Sequence, residues 1–366
     1  MKIGISAQLL NDKPSGVEQY IYNLIIHLLE NDRQNTYYIY CYDTHLSRRF
    51  SKYKNAVTRR IRLPQARIFR VIHEQLILPS LLKKDRIDVY HSPAYIVPFF
   101  LPDIRTVVTI PDIFAITRPQ FCKPHNRRYF GIMLPRSIKQ ANKLITLSNV
   151  VKRDIIDTFR VNPEDICVNY PGVSPQRGIS PDIQSNYILY VGNFDPKKDI
   201  SLLMRAFELL KKNTGVQHKL VLAGEKSWGF RKIYPLAQRS EFADQIIFAG
   251  YTPENEKWGL YRSASLFVFP SLFEGLGFPP IEAASVGTRV LVPDIPIFKE
   301  TIPGASFFKP GDVDDCVMQM TALLAKDQPQ EIDLSRFSYT DHARKCVEIY
   351  QEFTSLSQWV NLSESP

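Results

Sequence analysis

The chain has 366 residues, of which 44% are hydrophobic and 23% charged, so it is long enough for two domains with a core in each and too apolar for wholesale disorder. No apolar run reaches the roughly 18 to 20 residues that span a bilayer, and we expect no signal peptide at the start. Five scattered cysteines without a C-x-x-C pair predict reduced thiols in a cytoplasmic protein, and they argue against a disulfide framework or a zinc site.

The net charge of +9 is unevenly distributed, because residues 1–180 carry +13 and the remainder carries −4. Between Arg48 and Arg70 the sequence has nine basic side chains and no acidic one. Such a segment can bind an anionic membrane surface, or it can be a solvated basic loop and helix face. We predict the membrane as a partner through residues 48–70, and no nucleic acid.

Strand-like and helix-like segments alternate along the chain. In the first half, β-branched or aromatic runs predict strands at residues 2–6, 37–42, 87–91, 105–110 and 143–147, separated by amphipathic stretches such as 17–29 and 71–84. In the second half, strands are predicted at 187–192, 219–224, 245–249, 266–270 and 289–292, and helices at 200–212, 254–261 and 280–286. This alternation predicts an α/β protein with two doubly wound, Rossmann-like domains built on parallel sheets.

The domain boundary is predicted where the hydrophobic period stops, in a stretch rich in Pro, Gly and Ser. We predict an N-terminal, acceptor-side domain at 1–172, a linker at 173–186 and a C-terminal, donor-binding domain at 187–338. A C-terminal helical segment at 339–366 is expected to pack back on the first domain. Because ligands bind at the carboxyl ends of parallel strands, two such domains facing a cleft suit a donor on one side and an acceptor on the other.

The most informative segment is 269–284, which reads FPSLFEGLGFPPIEAA. A predicted strand ends at Pro270, a loop with two glycines follows, and a helix begins near Pro280, where proline is tolerated. Glycines allow the backbone to approach a ligand, and a helix N-terminus favours a diphosphate. Glu274 and Glu282 can each accept hydrogen bonds from sugar hydroxyls. A lone Glu-Gly pair is typical of a turn, whereas the full order of strand, loop and helix favours a nucleotide-sugar site.

This segment resembles the donor-binding signature of retaining glycosyltransferase family four, whose members have the GT-B fold. The resemblance implies that Glu274 binds the transferred sugar and that Glu282 binds the ribose of a UDP- or GDP-linked donor. Residues 189–199, LYVGNFDPKKD, are similar to the family's strand and loop that neutralise the donor diphosphate, which implies that role for Lys197 and Lys198. Fixed cations aimed at a leaving diphosphate stabilise the transition state, although a Lys-Lys pair by itself is usually a solvated loop.

Further segments extend the resemblance over nearly the whole chain. Residues 15–20, SGVEQY, resemble the family's glycine loop that faces the donor phosphates, and 248–251, FAGY, resemble an element near the nucleotide base; 74–75, 89–93 and 147–148 also match. A glycine before a helix is otherwise common. The resemblance implies catalytic roles for Asp112, Lys198 and Glu274. The donor-binding residues that it implies are Gly16, Asn193, Lys197, Lys198, Tyr251, Glu274, Gly275, Leu276, Gly277, Phe278 and Glu282.

One position departs from the family pattern. Many members carry His-Asp after the strand that corresponds to residues 107–110, and that histidine contacts the transferred sugar. This chain has Pro111 followed by Asp112, and proline cannot exchange a proton or donate a hydrogen bond. Asp112 remains available to the sugar or acceptor, and His91 either reaches the cleft or is a buried, hydrogen-bonded histidine. Pro111 therefore leaves open an alternative function, a catalytically silent sugar-nucleotide-binding protein.

Two other patterns bear on the class of protein. The Asp-Val-Asp at 312–314 resembles the D-x-D metal motif of a different glycosyltransferase fold, but it precedes an amphipathic stretch, so we predict helix capping. The sequence has no P-loop and no G-x-G-x-x-G, which argues against an NTPase or a dehydrogenase. It also lacks the pyridoxal-phosphate lysine context of a glycan phosphorylase.

The sequence thus predicts a retaining hexosyltransferase that needs no metal or other cofactor. It would move a mannose-like or glucose-like hexose from a UDP- or GDP-sugar to a glycan or lipid-linked glycan acceptor, in the synthesis of a cell-surface polysaccharide such as lipopolysaccharide. The expected location is cytoplasmic, peripheral on the inner face of the cytoplasmic membrane.

Overall fold

The structure is a computed structural model that describes residues 1–14, 16–179, 183, 186–227, 229–326 and 328–363, the last ten of these as helix backbone. Residue 15 of the predicted glycine loop, residues 180–182, 184 and 185 of the predicted linker, and residues 364–366 of the predicted C-terminal segment lie outside the described residues. The chain divides into two compact units, one formed by Met1–Gly172 with Phe337–Pro366 and the other by Val173–Arg336.

The described part of the first unit contains a seven-stranded parallel sheet in the order β3-β2-β1-β4-β5-β6-β7. The strands are β1 (Lys2–Ala7), β2 (Thr36–Cys41), β3 (Ala56–Arg60), β4 (Val89–Ser92), β5 (Arg105–Ile110), β6 (Lys143–Thr146) and β7 (Ile166–Val168). Central strands such as β4 are buried along their whole length, because helices cover both faces of a parallel sheet.

Helices connect these strands and close the core. They are α1 (Gly16–Asn31), α2 (His45–Arg48), α3 (Arg67–Ile72), α4 (Leu78–Asp85), α5 (Phe114–Thr117), α6 (Pro124–Gln140) and α7 (Asn149–Phe159). A π-helical turn (His73–Ile77) joins α3 to α4, and short 3-10 turns lie at Arg49–Lys52, Pro119–Phe121 and Pro163–Asp165. The core between helices and sheet includes Leu78, Leu82, Val108 and Leu134, all almost fully buried.

In the second unit, the described residues form a six-stranded parallel sheet in the order β10-β9-β8-β11-β12-β13. The strands are β8 (Tyr187–Val191), β9 (Lys219–Ala223), β10 (Ile246–Gly250), β11 (Leu266–Val268), β12 (Val290–Pro293) and β13 (Ser306–Phe308). The helices are α8 (Ile200–Thr214), α9 (Phe230–Gln238), α10 (Glu254–Ser263), α11 (Phe278–Ser285), α12 (Pro296–Thr301) and α13 (Val313–Leu324), with 3-10 turns at Pro196–Lys198 and Ala243–Gln245.

The last helix, α14 (Tyr339–Ser363), belongs to the first unit and packs on α1. Its buried face meets α1 and the sheet through one hydrogen-bonded pair each. The Tyr20 hydroxyl lies 3.2 Å from His342 Nε2, and the Tyr350 hydroxyl lies 2.6 Å from His91 Nδ1. The first unit is therefore completed by residues from the far end of the chain.

The predicted fold class, two doubly wound parallel-sheet domains, is confirmed, and each predicted strand coincides with an observed one to within a few residues. The sequence analysis did not find β3, β7 and β13. No helix among the described residues is both long enough and apolar enough to cross a membrane.

The basic stretch between Arg48 and Arg70 is not one solvated face, and membrane binding through residues 48–70 stays a prediction. Part of the stretch is the edge strand β3, from which Arg59 donates to the buried carboxylate of Asp85 with Nε–Oδ2 at 2.9 Å. Arg48 and Arg60 pair with Asp43. Of the apolar side chains in the stretch, Phe50 and Ile61 are buried in the core, whereas Ile68 and Phe69 are exposed.

Candidate active site

The second sheet reverses its strand order between β8 and β11, which are direct neighbours in parallel register, with Ile188 opposite Leu266. The chain runs from β8 to one edge of the sheet, returns to β11, and then runs to the other edge. Loops therefore diverge at the carboxyl ends of these two strands and leave a crevice, which is where doubly wound sheets bind ligands. The loop after β8 carries Lys197 and Lys198, and the loop after β11 carries Glu274.

Lys198 and Glu274 meet at this position. Lys198 Nζ donates to Glu274 Oε1 in a short contact, and the Ser271 hydroxyl donates to the same oxygen at 2.6 Å. Each of the two charged side chains is only 11% exposed. The Lys198 ammonium also lies 4.6 Å from the centre of the Phe269 ring, so an aromatic face covers the cation on another side. Lys198 and Glu274 thus form a largely desolvated ion pair at the carboxyl ends of β8 and β11.

Burial and pairing act on these charges in opposite directions. Burial lowers the pKa of Lys198, and the attraction of Glu274 only partly offsets that effect. Burial alone would raise the pKa of Glu274, but Lys198, Lys197 and the hydrogen bond from Ser271 hold it below its usual value. Glu274 is therefore a carboxylate at neutral pH, able to accept hydrogen bonds from hydroxyl groups.

The two loops are fixed to each other by the backbone. The Leu272 amide donates to the Lys197 carbonyl at 2.9 Å. Gly277, which caps α11, has φ of 84°, and a Cβ at this position would lie 2.7 Å from the Phe298 ring, so only glycine fits. The proline pair that follows occupies the first turn of α11, where no hydrogen-bond donor is lost. Local sequence thus determines where α11 begins and where its N-terminus points.

Glu282 lies on α11 in a second cluster of charges. Its Oε1 accepts from Lys257 Nζ at 2.9 Å, and its Oε2 accepts from the Tyr261 hydroxyl at 2.8 Å. Lys257 also pairs with Glu254 at 3.1 Å, and Glu254 accepts from Trp258 Nε1 at 2.8 Å. Burial alone would lower the pKa of Lys257, but Glu282 and Glu254 outweigh it and hold that pKa above its usual value. Glu282 is consequently held at both oxygens in a charge-compensated network.

The remaining residues predicted in the second unit lie around these clusters. Asn193 follows β8, and its carbonyl accepts from the Tyr190 hydroxyl at 3.0 Å. Tyr251 follows β10, and burial together with the charge of Glu254 raises its pKa. Gly275 and Leu276 are buried in the β11–α11 loop, and Phe278 opens the helix.

Two predicted site residues lie in the first unit. Gly16 opens α1 after β1 with φ of 35°, and apart from its chain neighbours and the backbone of its own helix no atom of the described residues lies within 4 Å of the position that a Cβ would take. Asp112 follows β5, and its Oδ2 accepts from the Tyr95 hydroxyl at 2.9 Å. Tyr95 itself follows the neighbouring strand β4 and has a left-handed backbone with φ of 67°, which is uncommon for a residue with a ring. The strained Tyr95 thus positions the Asp112 carboxylate beside Pro111.

His91 is the buried, hydrogen-bonded histidine of the two alternatives. It is fully buried between the Tyr350 hydroxyl and the Thr109 hydroxyl, which lies 2.9 Å from Nε2. Burial lowers its pKa to about 3, so the ring is neutral. His91 is therefore a structural residue in the core of the first unit.

Asp312 caps α13, since its side chain accepts from the Asp315 amide at 3.1 Å, which confirms the capping interpretation of the Asp-Val-Asp motif. Among the side chains that the structure describes, no three His, Cys, Asp or Glu residues cluster as they do in a metal site.

Two family models match the chain in succession. "Glycosyltransferase Family 4" matches residues 14–177, and "Glycosyl transferases group 1" matches residues 177–339, so the two together cover 14–339. The chain belongs to glycosyltransferase family four. The resemblance on which the sequence analysis rested is thereby confirmed, and the two sheets are the two domains of the GT-B fold.

Individual relatives agree with this assignment. The glycosyltransferase is 29% identical over 262 residues to the O-antigen chain mannosyltransferase B of Escherichia coli, covering 68% of each chain. It is 33% identical over 185 residues to the O-antigen chain mannosyltransferase RfbU of Salmonella typhimurium, covering 50% of this chain and 51% of the other. Among solved structures, Anabaena HepE in complex with UDP and glucose superimposes with a TM-score of 0.67 at 14% identity, covering 98% and 99% of the two chains.

Three residues of the candidate site were not found from the sequence. Lys257 and Tyr261 hold Glu282 from a helix that begins 28 positions earlier in the chain, and Tyr95 holds Asp112 across two strands. Lys257 and Glu254 lie three positions apart on α10, a spacing that brings side chains together, so that part of the network was visible as a pattern.

Proposed function

We propose that this protein is a retaining, metal-independent hexosyltransferase that moves a mannose-like or glucose-like hexose from a UDP- or GDP-sugar to a glycan or lipid-linked glycan acceptor. The observation that carries the proposal is the buried Lys198–Glu274 pair at the carboxyl ends of β8 and β11. Membership of the family and the names of the O-antigen mannosyltransferase relatives support a mannosyl donor and a role in cell-surface polysaccharide synthesis.

The two charges of the pair have separate tasks in this proposal. Glu274, a carboxylate at neutral pH, would accept hydrogen bonds from hydroxyls of the transferred hexose. Lys198, together with Lys197, would turn from Glu274 toward the diphosphate as negative charge develops on the leaving group. Glu282, held by Lys257 and Tyr261, would accept the ribose hydroxyls. Groups of the donor would thus replace Lys198 and Glu274 as each other's partners. Both charges are already largely desolvated in their ion pair, so donor binding would remove little further water from them.

The proposed chemistry is a front-face displacement. The acceptor oxygen forms a bond to the anomeric carbon on the face from which the bond to the phosphate oxygen breaks, and the acceptor proton passes to that phosphate oxygen. The configuration at the anomeric carbon is retained. The two lysines and the N-terminus of α11 supply the positive charge that the leaving diphosphate needs, so the proposal requires no divalent metal.

The second candidate is a sugar-nucleotide-binding protein without activity, and Pro111 is the observation that favours it. Proline has no group to replace the family's histidine beside the transferred sugar. Asp112 offers a carboxylate at the next position, oriented by the Tyr95 hydroxyl at 2.9 Å. We propose that Asp112 contacts the sugar or the acceptor in place of the missing imidazole.

A screen of donor hydrolysis and transfer over UDP- and GDP-linked hexoses, with lipid extracts as acceptors, tests both candidates. We expect turnover of one donor, with the product anomer matching the donor anomer, and loss of turnover in Glu274→Gln. Binding of a donor without hydrolysis or transfer would support the silent protein, and inversion at the anomeric carbon would exclude the front-face mechanism. A lipid-linked acceptor favours a peripheral position on the inner face of the cytoplasmic membrane, and this location is part of the proposal.

A further inference from the structure

Several large apolar side chains of the first unit are exposed rather than buried. Ile68, Leu76, Phe100 and Ile132 have exposed fractions of 62%, 70%, 79% and 57%. Ile68 and Leu76 lie eight positions apart on α3 and the π-helical turn, and Ile72 between them is also exposed, so the spacing places three apolar residues on one helical face. Single exposed apolar residues are ordinary, but a group on neighbouring elements indicates an interaction surface.

Contacts between the three segments show that they are neighbours. Arg67 at the start of α3 donates to Asn126 Oδ1 on α6 at 2.6 Å, and its guanidinium lies 5.2 Å from the Tyr129 ring centre. Phe99 links the π-helical turn to α6, because its amide donates to Gln75 Oε1 at 2.8 Å and its carbonyl accepts from Arg136 Nη2 at 2.7 Å. We call the surface formed by residues 67–77, 99–100 and 124–132 the α3–α6 face.

Apart from the buried Glu74, the charged side chains of this face are basic. Residues 44–73 contain nine Lys and Arg and no Asp or Glu, and residues 113–153 also contain nine and none. On α6, the exposed Arg127 and Arg128 line a shallow groove of about 540 Å³ together with Cys122, Gly131 and Ile132. Two guanidinium groups beside an apolar side chain match the phosphate and the upper acyl chain of a lipid.

We propose that the α3–α6 face docks the glycosyltransferase on a bilayer that contains anionic lipid. Ile68, Leu76, Phe100 and Ile132 enter the boundary between headgroups and acyl chains, and Arg127 and Arg128 bind lipid phosphates. This surface shares only residues 67–70 with the stretch predicted over 48–70, and it leaves out the arginines of β3 and α2 that pair with Asp85 and Asp43. Docking through this face does not depend on the identity of the donor or on turnover.

The test is flotation of the full-length protein with vesicles of phosphatidylcholine alone or with a third of phosphatidylglycerol, at low and at high salt. We expect binding only to the anionic vesicles, weakened by salt. Arg127→Glu with Arg128→Glu should reduce the binding at least about tenfold, because each cation near an anionic surface contributes substantially to binding. The double variant Ile68→Gln with Leu76→Gln should also reduce it several-fold, since the apolar anchor is lost.

Lys52→Glu with Lys54→Glu is the matched control, because it reverses two exposed charges of the same unit outside the face. It should retain most of the vesicle binding. Circular dichroism and nucleotide-diphosphate binding should be unchanged in all three variants, which separates loss of docking from loss of fold or donor site.

Absent binding, equal binding to uncharged vesicles, or equal losses in the control and the Arg127/Arg128 variant would overturn the proposal. Retained binding in the Ile68/Leu76 variant would overturn it as well. If sedimentation shows a dimer that the Ile68/Leu76 variant disperses, the face is a contact between copies of this chain and the proposal fails.

Discussion

The Glu282 carboxylate accepts from the Lys257 ammonium at one oxygen and from the Tyr261 hydroxyl at the other, and both partners lie on α10. An anion held in this way keeps its orientation, so a ribose that binds as proposed would meet a hydrogen-bond acceptor that needs no rearrangement. Lys257 shares its charge with Glu254, so it keeps a partner even if Glu282 is removed. Substitution at position 282 therefore tests binding without leaving an unpaired buried charge.

We expect Glu282→Ala to weaken binding of the free nucleoside diphosphate by about 1.5 to 3 kcal/mol, because charge-assisted hydrogen bonds to the ribose are lost. Isothermal titration calorimetry measures the change. Lys257→Met should cause a smaller loss, since it disorders the carboxylate without removing it. Glu208→Ala on α8, which removes a surface carboxylate paired with Lys212, is the control. Unchanged affinity in Glu282→Ala would show that the ribose binds elsewhere.

The proposed metal independence rests on two residues, because Lys197 and Lys198 would neutralise the diphosphate in place of a metal ion. Transfer should persist in excess EDTA and should not rise on addition of Mn²⁺. Asp312→Asn is the matched variant, because asparagine caps a helix as well as aspartate but lacks the ligand charge. It should keep full activity. Complete loss in EDTA that Mn²⁺ restores would contradict the proposed mechanism.

At the level of elements, the π-helical turn between α3 and α4 buries a carboxyl group. Glu74 is 9% exposed, and Gln75 Nε2 donates to its Oε1 at 3.2 Å. Burial raises the pKa of Glu74 to about 7. The folded protein holds this proton more tightly than the unfolded chain does, so ionisation of Glu74 lowers the free energy of unfolding as the pH rises from about 4.5 to about 7.

Glu74→Gln should remove this penalty. Relative to the unmodified protein, the variant should gain up to about 3 kcal/mol in free energy of unfolding at pH 8, and the gain should shrink toward zero below about pH 4.5. Urea unfolding at several pH values measures the difference, in which the contributions of other groups cancel. The exposed Glu164→Gln should show no such trend. A difference that does not vary with pH would mean that the pKa of Glu74 is the same in the fold as in the unfolded chain.

The elements that sequence patterns predicted and those that they missed differ in position within the sheets. Central strands such as β5 are continuous β-branched runs, because both faces are buried. The missed strands β3, β7 and β13 lie at sheet edges, are three to five residues long, and in β3 end in two exposed arginines, which protect an edge from pairing with other chains.

The candidate site could be predicted in the same uneven way. Glu274, Glu282, Lys197 and Lys198 stand in local motifs that the family resemblance identified. Their partners were missed where they lie on other elements, as Lys257 does 25 positions before Glu282, because such a contact depends on how helices pack and leaves no periodic signal in the sequence. The αL backbone of Tyr95 was missed for a related reason, since its ring type gives no sign of a strained turn.

At the scale of the whole molecule, α14 supplies part of the first unit's core. Tyr350 is fully buried and its hydroxyl contacts His91. We expect Tyr350→Ala to destabilise the first unit by about 3 to 5 kcal/mol, because a large cavity replaces the ring. Tyr350→Phe keeps the ring and should cost only about 1 to 2 kcal/mol for the lost hydrogen bond.

Thermal unfolding followed by calorimetry, with and without nucleoside diphosphate, measures this effect. The diphosphate stabilises the unit that binds it. We expect Tyr350→Ala to lower the transition of the first unit and to leave the transition that the diphosphate raises unchanged. Equal shifts of all transitions would show that the two units unfold as one.

The placement of α14 also determines the order in which the molecule is built during translation. The second unit is one continuous stretch, Val173–Arg336, and its strands have all been synthesised before α14 leaves the ribosome. The hydrogen-bond partner of Tyr20, in contrast, is synthesised 322 positions later, and that of His91 is synthesised 259 positions later. Because domains fold as units while the chain is made, we expect the second unit to complete its fold before the first unit does.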